Sequence, residues 1–433
     1  MRGYPAPRRA KSIVFYKRNK ATLEDVSSPQ DVFTYSQERG NPRWGVLVEP
    51  IVVGLCPTDQ AGGNLDFPPG SIRSFGDPQS PAVAGHEFVG RVVNVSGYSA
   101  KKLSKKSITI GDMVVVDVNI GCGECFECRR GDPPLYCRNG ATFLGIGTTA
   151  GASWVKKQTG RNHLPGAYTK GFVVVPASNV HKIPMRNIHS MGQLAVFSQS
   201  DAVACAKTSC DAMGISFFEK TRGFKNPTML VIGAGRVGAW HVAVARELLP
   251  NIVIYMADIN KKNLDTVGDL FRIPHARRYL VSKKAYNPYS RKSISAHFGK
   301  ELFFDFIVDA AGHHVFNGNI ITRLMKESLA SGGVFCTTAH VGVRGVDAGH
   351  PALILGMKKF LNGLSPQNNF KFAISFLSKN VQKFTPFMTE IKGGLHEKLA
   401  HIVESGGGEY KKKMGGTTFY SVIHRVGFKK RKR

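Results

Sequence analysis

The chain has 433 residues, enough for two or three domains. Hydrophobic residues make up 42% of it and aromatics 10%, which excludes a disordered or low-complexity protein. Lys and Arg number 59 against 30 Asp and Glu, a net charge of +29, but the basic residues run along the whole length and only Lys429–Arg433 is a dense cluster. That tail is a candidate for non-specific contact with polyanions, and a general lysine bias accounts for the remainder.

In chain order, the first ~200 residues read as β-rich. Short Val-rich runs at 10–18, 45–56, 87–95, 112–118 and 171–177 are separated by Gly, Pro and Asp, the punctuation of an antiparallel, barrel-like domain. From about 201 the pattern changes. Strands with nearly continuous apolar residues fall at 228–235, 251–258, 304–312 and 332–339, with helical patterns at 237–248 and 319–330 between them. Such alternation predicts a parallel sheet covered on both faces, an α/β fold beside the β domain. Two further helical patterns, 370–379 and 396–405, precede the basic tail. No apolar run reaches the ~18 residues of a spanning helix, and the N-terminus MRGYPAPRRAKS has no apolar stretch of a secretory signal. The expected location is the cytoplasm, with no membrane partner.

There are eight cysteines, and in a reducing compartment they point to metal rather than disulfides. Four form a compact, glycine-punctuated lobe at about 121–138: Cys122, Cys125, Cys128 and Cys137. Four thiolates at this spacing can close a tetrahedral zinc site with no open position, so this zinc would be structural. An iron–sulfur cluster also uses four cysteines, but nothing else in the chain suggests electron transfer.

The segment Gly233-Ala234-Gly235-Arg236-Val237-Gly238 follows a strand and opens a helix. In that context the glycines allow a tight turn and close backbone approach to a pyrophosphate at the helix N-terminus. Asp258 ends the next strand, at the distance expected for a carboxylate that hydrogen-bonds a ribose. It favours NAD over NADP, with Lys261 and Lys262 placed to offset the repulsion of a 2′-phosphate. Asp309 ends the following strand and either lines the same crevice or serves as a turn residue.

Upstream stand Gly54-Leu55-Cys56-Pro57-Thr58-Asp59 and Gly85-His86-Glu87. Alone, a Cys after a Val-rich strand reads as core and a His beside a Glu as a polar pair. The order Cys-x-Thr-Asp, Gly-His-Glu, four-cysteine lobe, glycine fingerprint resembles the zinc-dependent medium-chain dehydrogenases over nearly the whole chain, and most closely their sugar and polyol branch. The resemblance implies a discontinuous GroES-like catalytic domain at 1–200 and 365–433 and a Rossmann nucleotide domain at 201–364. It implies two zinc ions per chain, the second held by Cys56 and His86 with an open position. Glu87 is a ligand or near-ligand in such proteins, and Gln199 stands where a glutamate ligand is often found. Thr58 would take the substrate's proton, and Asp59 would fix the tautomer of His86. The implied activity is hydride transfer between a secondary alcohol, polyol or aldose and NAD(P), by a homodimer or homotetramer. A simple alcohol or threonine-type dehydrogenase is one alternative. A catalytically weak scaffold that binds nucleotide or nucleic acid is the other, favoured by Gln199, Pro57 and the charge, and opposed by the ordered Cys56, Thr58, Asp59 and His86.

The sequence departs from that family in four further places. Pro57 replaces the usual glycine after Cys56. The Cys128–Cys137 spacing is one residue longer than expected. The 59–85 segment is a few residues long, and an insertion lies at 147–166. The insertion carries Lys156, Lys157, Arg161 and His163 and reads either as a lid that meets an anionic substrate or as an exposed loop.

Overall fold

The structure is a computed structural model. It describes residues 9–17, 20–27, 44–54, 56, 82–83, 85–140, 142–145, 152–159, 165–218, 226–282, 294, 297–299, 302–311, 318–338, 359–362, 369–388 and 421–422. The chain divides into two compact units. One comprises Met1–Asp201, Phe370–Gly415 and Tyr420–Arg433; the other comprises Ala202–Asn369 and Gly416–Phe419.

The strands of the first unit are β1 (Arg9–Lys17), β2 (Lys20–Ser27), β3 (Val46–Gly54), β4 (Ala82–Val83), β5 (Phe88–Val95), β6 (Met113–Val116), β7 (Asn119–Ile120), β8 (Thr142–Phe143), β9 (Val173–Val175), β10 (Val180–Lys182) and, late in the chain, β17 (Ser421–Val422). All pair antiparallel. The main sheet runs β10-β6-β5-β3-β17, with β9 also on β3; β2-β1-β4 and β7-β8 form two smaller sheets. β3 is buried at every position but Glu49, so both faces of this strand are covered and its residues are nearly all apolar. Glu49 lies opposite Arg91 on β5 and accepts its guanidinium hydrogen bonds. Pro50, which has no N–H for the ladder, sits where the β3–β5 register shifts, as a proline inside a sheet requires.

The helices of this unit are α1 (Gly97–Ser104), α2 (Phe126–Arg130), α3 (Ala152–Thr159), α4 (Met191–Val196) and α9 (Phe370–Phe384), with α5 (Ser200–Ala212) beginning at the unit boundary. α4 opens with a capping box: Ser190 accepts from the Gln193 N–H, and the Gln193 side chain reaches back to the Ser190 N–H.

The second unit alternates strand and helix: β11 (Thr228–Ile232), α6 (Arg236–Leu248), β12 (Val253–Asp258), α7 (Lys261–Leu270), β13 (Arg278–Leu280), β14 (Phe304–Asp309), α8 (Gly318–Ser328), β15 (Leu329–Thr337) and β16 (Lys359–Asn362). The sheet is parallel throughout, in the order β13-β12-β11-β14-β15-β16. The order reverses at β11, the switch point where open α/β sheets bind ligands. The helix expected at 319–330 ends at Ser328, because buried Leu329 pairs with Phe304 and begins the strand. The helix expected at 396–405 lies outside the described residues.

Candidate functional site

In the second unit the three fingerprint glycines do three different jobs. Gly233 closes β11 with φ +100°, and its N–H bonds the Ala257 carbonyl at 2.8 Å. A Cβ there would press on the backbone of Ala310 and Ala311 at 2.8 Å, so only glycine fits the turn. Gly235 caps α6, and a Cβ on it would meet nothing within 4 Å. That space lies at the positive end of a 13-residue helix, the cradle a pyrophosphate needs. A Cβ on Gly238 would collide with the Gly233 carbonyl oxygen, so this glycine allows α6 to pack on the turn. Arg236 and Val237 begin α6, Arg236 buried and Val237 half-buried.

Asp258 ends β12 and leans back on the same turn. Its Oδ2 accepts from the Ala234 N–H and its Oδ1 from the Asn260 N–H at 2.6 Å. Burial pushes its carboxyl above the ordinary carboxylate value against these bonds. Beside it Ile259 is 44% exposed, and Leu280, opposite Asp258 on β13, is 46% exposed. Two aliphatic side chains at adjacent carboxyl ends are thus left exposed, a feature that strand patterning alone does not mark. Lys261 pairs with Asp265 on α7. Asp309 resolves as a turn residue: fully buried, it accepts from the Ala311 N–H and the Thr337 hydroxyl, each at 3.0 Å.

The first unit brings Cys56, His86 and Glu87 together. Antiparallel pairing of Val53 with Phe88 sets the chain leaving β3 beside the chain entering β5, and the Gly54 N–H bonds the Glu87 carbonyl at 2.6 Å. One ligand atom from each of the three lies within 4.8 Å of the others, and all three residues are buried. A buried thiol, imidazole and carboxylate at this separation suit a zinc ion with one open position. Gln199 is fully buried on the 3₁₀ turn Phe197–Gln199, which packs against β3 and β5; its Nε2 donates to the Ser198 hydroxyl at 3.3 Å. Thr58, Asp59 and Pro57 lie outside the described residues.

Tyr168 completes this region, and nothing in the sequence pattern marks it. Its hydroxyl donates to the Gly54 carbonyl at 3.2 Å. Its ring lies against Gly85, where φ is +98° and a Cβ would sit 2.6 Å from the ring. The Ala167 N–H bonds the Gly85 carbonyl at 2.7 Å. One buried tyrosine thus touches the residues two before Cys56 and one before His86.

The lobe cysteines also converge. All four sulfurs lie within 4.8 Å of one another, and Cys125 and Cys137 Sγ are 3.9 Å apart. Tetrahedral zinc with Zn–S bonds of about 2.3 Å requires sulfurs roughly 3.8 Å apart, so the set fits the ion. Burial opposes ionisation of Cys122, but the N–H groups of Glu124 and Cys125 outweigh it and bring the thiol down to about 7. Burial pushes Cys128 and Cys137 up, a cost that a shared cation offsets. A Cβ on Gly121 would press on Cys128 Sγ at 2.7 Å, so the first glycine of the lobe makes room for a ligand.

Residues 43–185 match the family described as the alcohol dehydrogenase GroES-like domain. This stretch is a GroES-like domain of the alcohol dehydrogenase type. The chain is similar to D-altritol 5-dehydrogenase of Agrobacterium fabrum, 27% identical over 274 residues, 63% of either chain. It is also similar to L-threonine 3-dehydrogenase of Yersinia pestis, 30% identical over 185 residues, 43% of this chain and 42% of that one. It therefore spans less than two thirds of the length of these relatives. Among solved structures, a short chain alcohol dehydrogenase from E. coli CFT073 complexed with NADH shares the fold at TM-score 0.67 and 18% identity, over 96% of this chain and 100% of that one. L-idonate 5-dehydrogenase from Escherichia coli K-12 does so at 0.67 and 15%, over 96% and 98%. The resemblance to the zinc-dependent medium-chain dehydrogenases, read from the motifs, is borne out, and so is the fold of a parallel nucleotide-type sheet accompanying the GroES-like domain.

Proposed function

We propose that this protein is a zinc-dependent oxidoreductase that transfers hydride between a secondary alcohol, polyol or aldose and NAD(P). The observation that carries the reading is the buried convergence of Cys56, His86 and Glu87. A zinc ion held there would supply Lewis acidity to the substrate oxygen. Cys56 and His86 hold the ion, and Glu87 rather than the neutral Gln199 completes the protein ligands. Thr58 takes the substrate proton and Asp59 orients His86, the roles the resemblance assigns them. Gly233, Gly235 and Gly238, with Arg236 and Val237 at the start of α6, receive the dinucleotide phosphates. Asp258 meets the adenosine ribose, and the pairing of Lys261 with Asp265 favours NAD over NADP.

D-altritol 5-dehydrogenase among the relatives supports a polyol or sugar substrate; L-threonine 3-dehydrogenase supports a threonine-type alternative. A homodimer or homotetramer in the cytoplasm completes the reading. No helix among the described residues is long and apolar enough to cross a membrane. The basic tail lies outside the described residues, and polyanion contact through it is a separate expectation that high salt should abolish. The deciding experiment measures zinc per chain on protein purified without added metal, then screens polyols, aldoses and L-threonine with NAD and NADP. About two zinc ions and turnover of one class is the expected result. One zinc, a freely alkylated Cys56 and no turnover would favour the scaffold reading.

A further inference from the structure

The insertion at 147–166 has no role in the proposed reaction. Its described part comprises α3 and residues 165–166, and one face of α3 is built against the cysteine lobe. Trp154 Nε1 donates to the Gly140 carbonyl at 2.7 Å. Four residues on, Gln158 Nε2 donates to the Cys122 carbonyl at 3.3 Å and to Glu124 Oε1 at 3.0 Å. Residues four apart share a helix face, and Lys156 and Lys157 are turned to solvent. The Gln158 acceptor is taken as well, by Trp44 Nε1 at 3.1 Å. The rings of Trp44 and Trp154 stack at 6.4 Å and 22°. Trp44, Trp154 and Gln158 are all buried.

Cys122 is the first lobe ligand and Gly140 stands three residues past the last, Cys137. One helix face therefore grips both ends of the loop that carries the sulfurs. The β7–β8 pairing of Ile120 with Thr142 keeps the two ends near each other, and the closure of the loop between them sets where the Cys122 carbonyl and Glu124 stand. A shared ion would close that loop, because it would tie all four sulfurs, which lie within 4.8 Å of one another, to one point. A buried amide with one acceptor and two donors engaged is also chemically specified; a carboxylate there would face the Cys122 carbonyl and Glu124.

We propose that α3 is a metal-coupled brace. It docks on the lobe when the four cysteines share an ion, and its docking slows the loss of that ion. The two effects are one coupling seen from either side. The inference rests on the lobe binding metal and is independent of the dehydrogenase activity.

The test uses the full chain in a Cys56→Ser background, so that zinc release into excess chelator reports the lobe. Gln158→Leu and Trp154→Phe should each release lobe zinc about tenfold faster, the usual size of a lost contact behind a ligand. In the wild type, chelation should open tryptic cleavage at Lys156 and Lys157 and shift the fluorescence of the Trp44–Trp154 pair, and re-added zinc should reverse both. A chain that holds zinc but releases it equally fast in both variants, with a tryptic pattern indifferent to metal, would overturn the brace alone. A wild-type lobe that binds no metal would overturn the lobe assignment and the brace with it.

Discussion

The GroES-like unit assembles its two ligand clusters in opposite ways. The lobe takes four cysteines from one loop, Cys122 to Cys137, and its geometry comes from local devices: N–H groups aimed at sulfur, a glycine that admits Cys128, and a helix clamped across the ends. The second cluster takes Cys56 from just past β3 and His86 and Glu87 from just before β5, and the β3–β5 register brings them together. In the first case local contacts shape a loop that a bound ion would cross-link. In the second the strand register organises the site, and an ion would be added to it. Loss of a lobe ligand should therefore appear as lost stability, and loss of Cys56 as lost chemistry.

The largest expected effect sharpens that contrast directly. Cys137→Ser should cost about 4 kcal/mol or more, since a largely exposed loop would lose its metal cross-link; chemical denaturation reads it, with the zinc content falling by one. Cys56→Ser should leave stability within about 1 kcal/mol, because a buried thiol becomes a hydroxyl of similar size. Its kcat/KM should fall about a thousandfold, the worth of a Lewis acid that supplies several kcal/mol to the transition state. If Cys56→Ser unfolds the protein as readily as Cys137→Ser, the contrast between the clusters is wrong. Gly235→Val comes next. The Cβ position is open, so the chain should fold normally, but the side chain fills the phosphate cradle. Dinucleotide affinity should weaken about a hundredfold, measured by fluorescence titration. Unchanged affinity would mean the cradle does not hold the phosphates.

The same contrast governs what the sequence makes legible. The lobe can be read from spacing alone, because all its ligands lie on one loop. The glycine fingerprint is legible because strand, turn and helix are consecutive. The Cys56–His86–Glu87 cluster depends on strand pairing, which no local pattern encodes, so its residues acquire meaning only through the resemblance of the ordered motifs. Tyr168, Trp44 and Gln158 escape even that. Each acts by reaching across the fold to a backbone carbonyl or side chain, and no residue type is set aside for such a task. The insertion is only partly legible for the same reason. Its basic residues read as a lid or as an exposed loop; Lys156 and Lys157 lie on the exposed face of α3 while Trp154 and Gln158 do the packing, and Arg161 and His163 lie outside the described residues.

The smallest expected effect tests how far strand register alone sets the Cys56–His86–Glu87 cluster. Tyr168→Phe removes one hydroxyl, the donor to the Gly54 carbonyl, and leaves the ring that packs on Gly85. A net hydrogen bond of about 1 kcal/mol is at stake. If that bond only steadies the sheet, stability falls by this amount and kcat/KM stays put. If it holds Gly54 so that Cys56 meets His86, kcat/KM should fall about five- to tenfold and metal should leave the three-ligand cluster sooner, while the lobe keeps its own. Parallel measurement of kcat/KM and metal retention at the two clusters separates these outcomes. The second outcome would show that a cluster made by strand register still needs a side chain to set its final geometry, as the lobe needs Gln158.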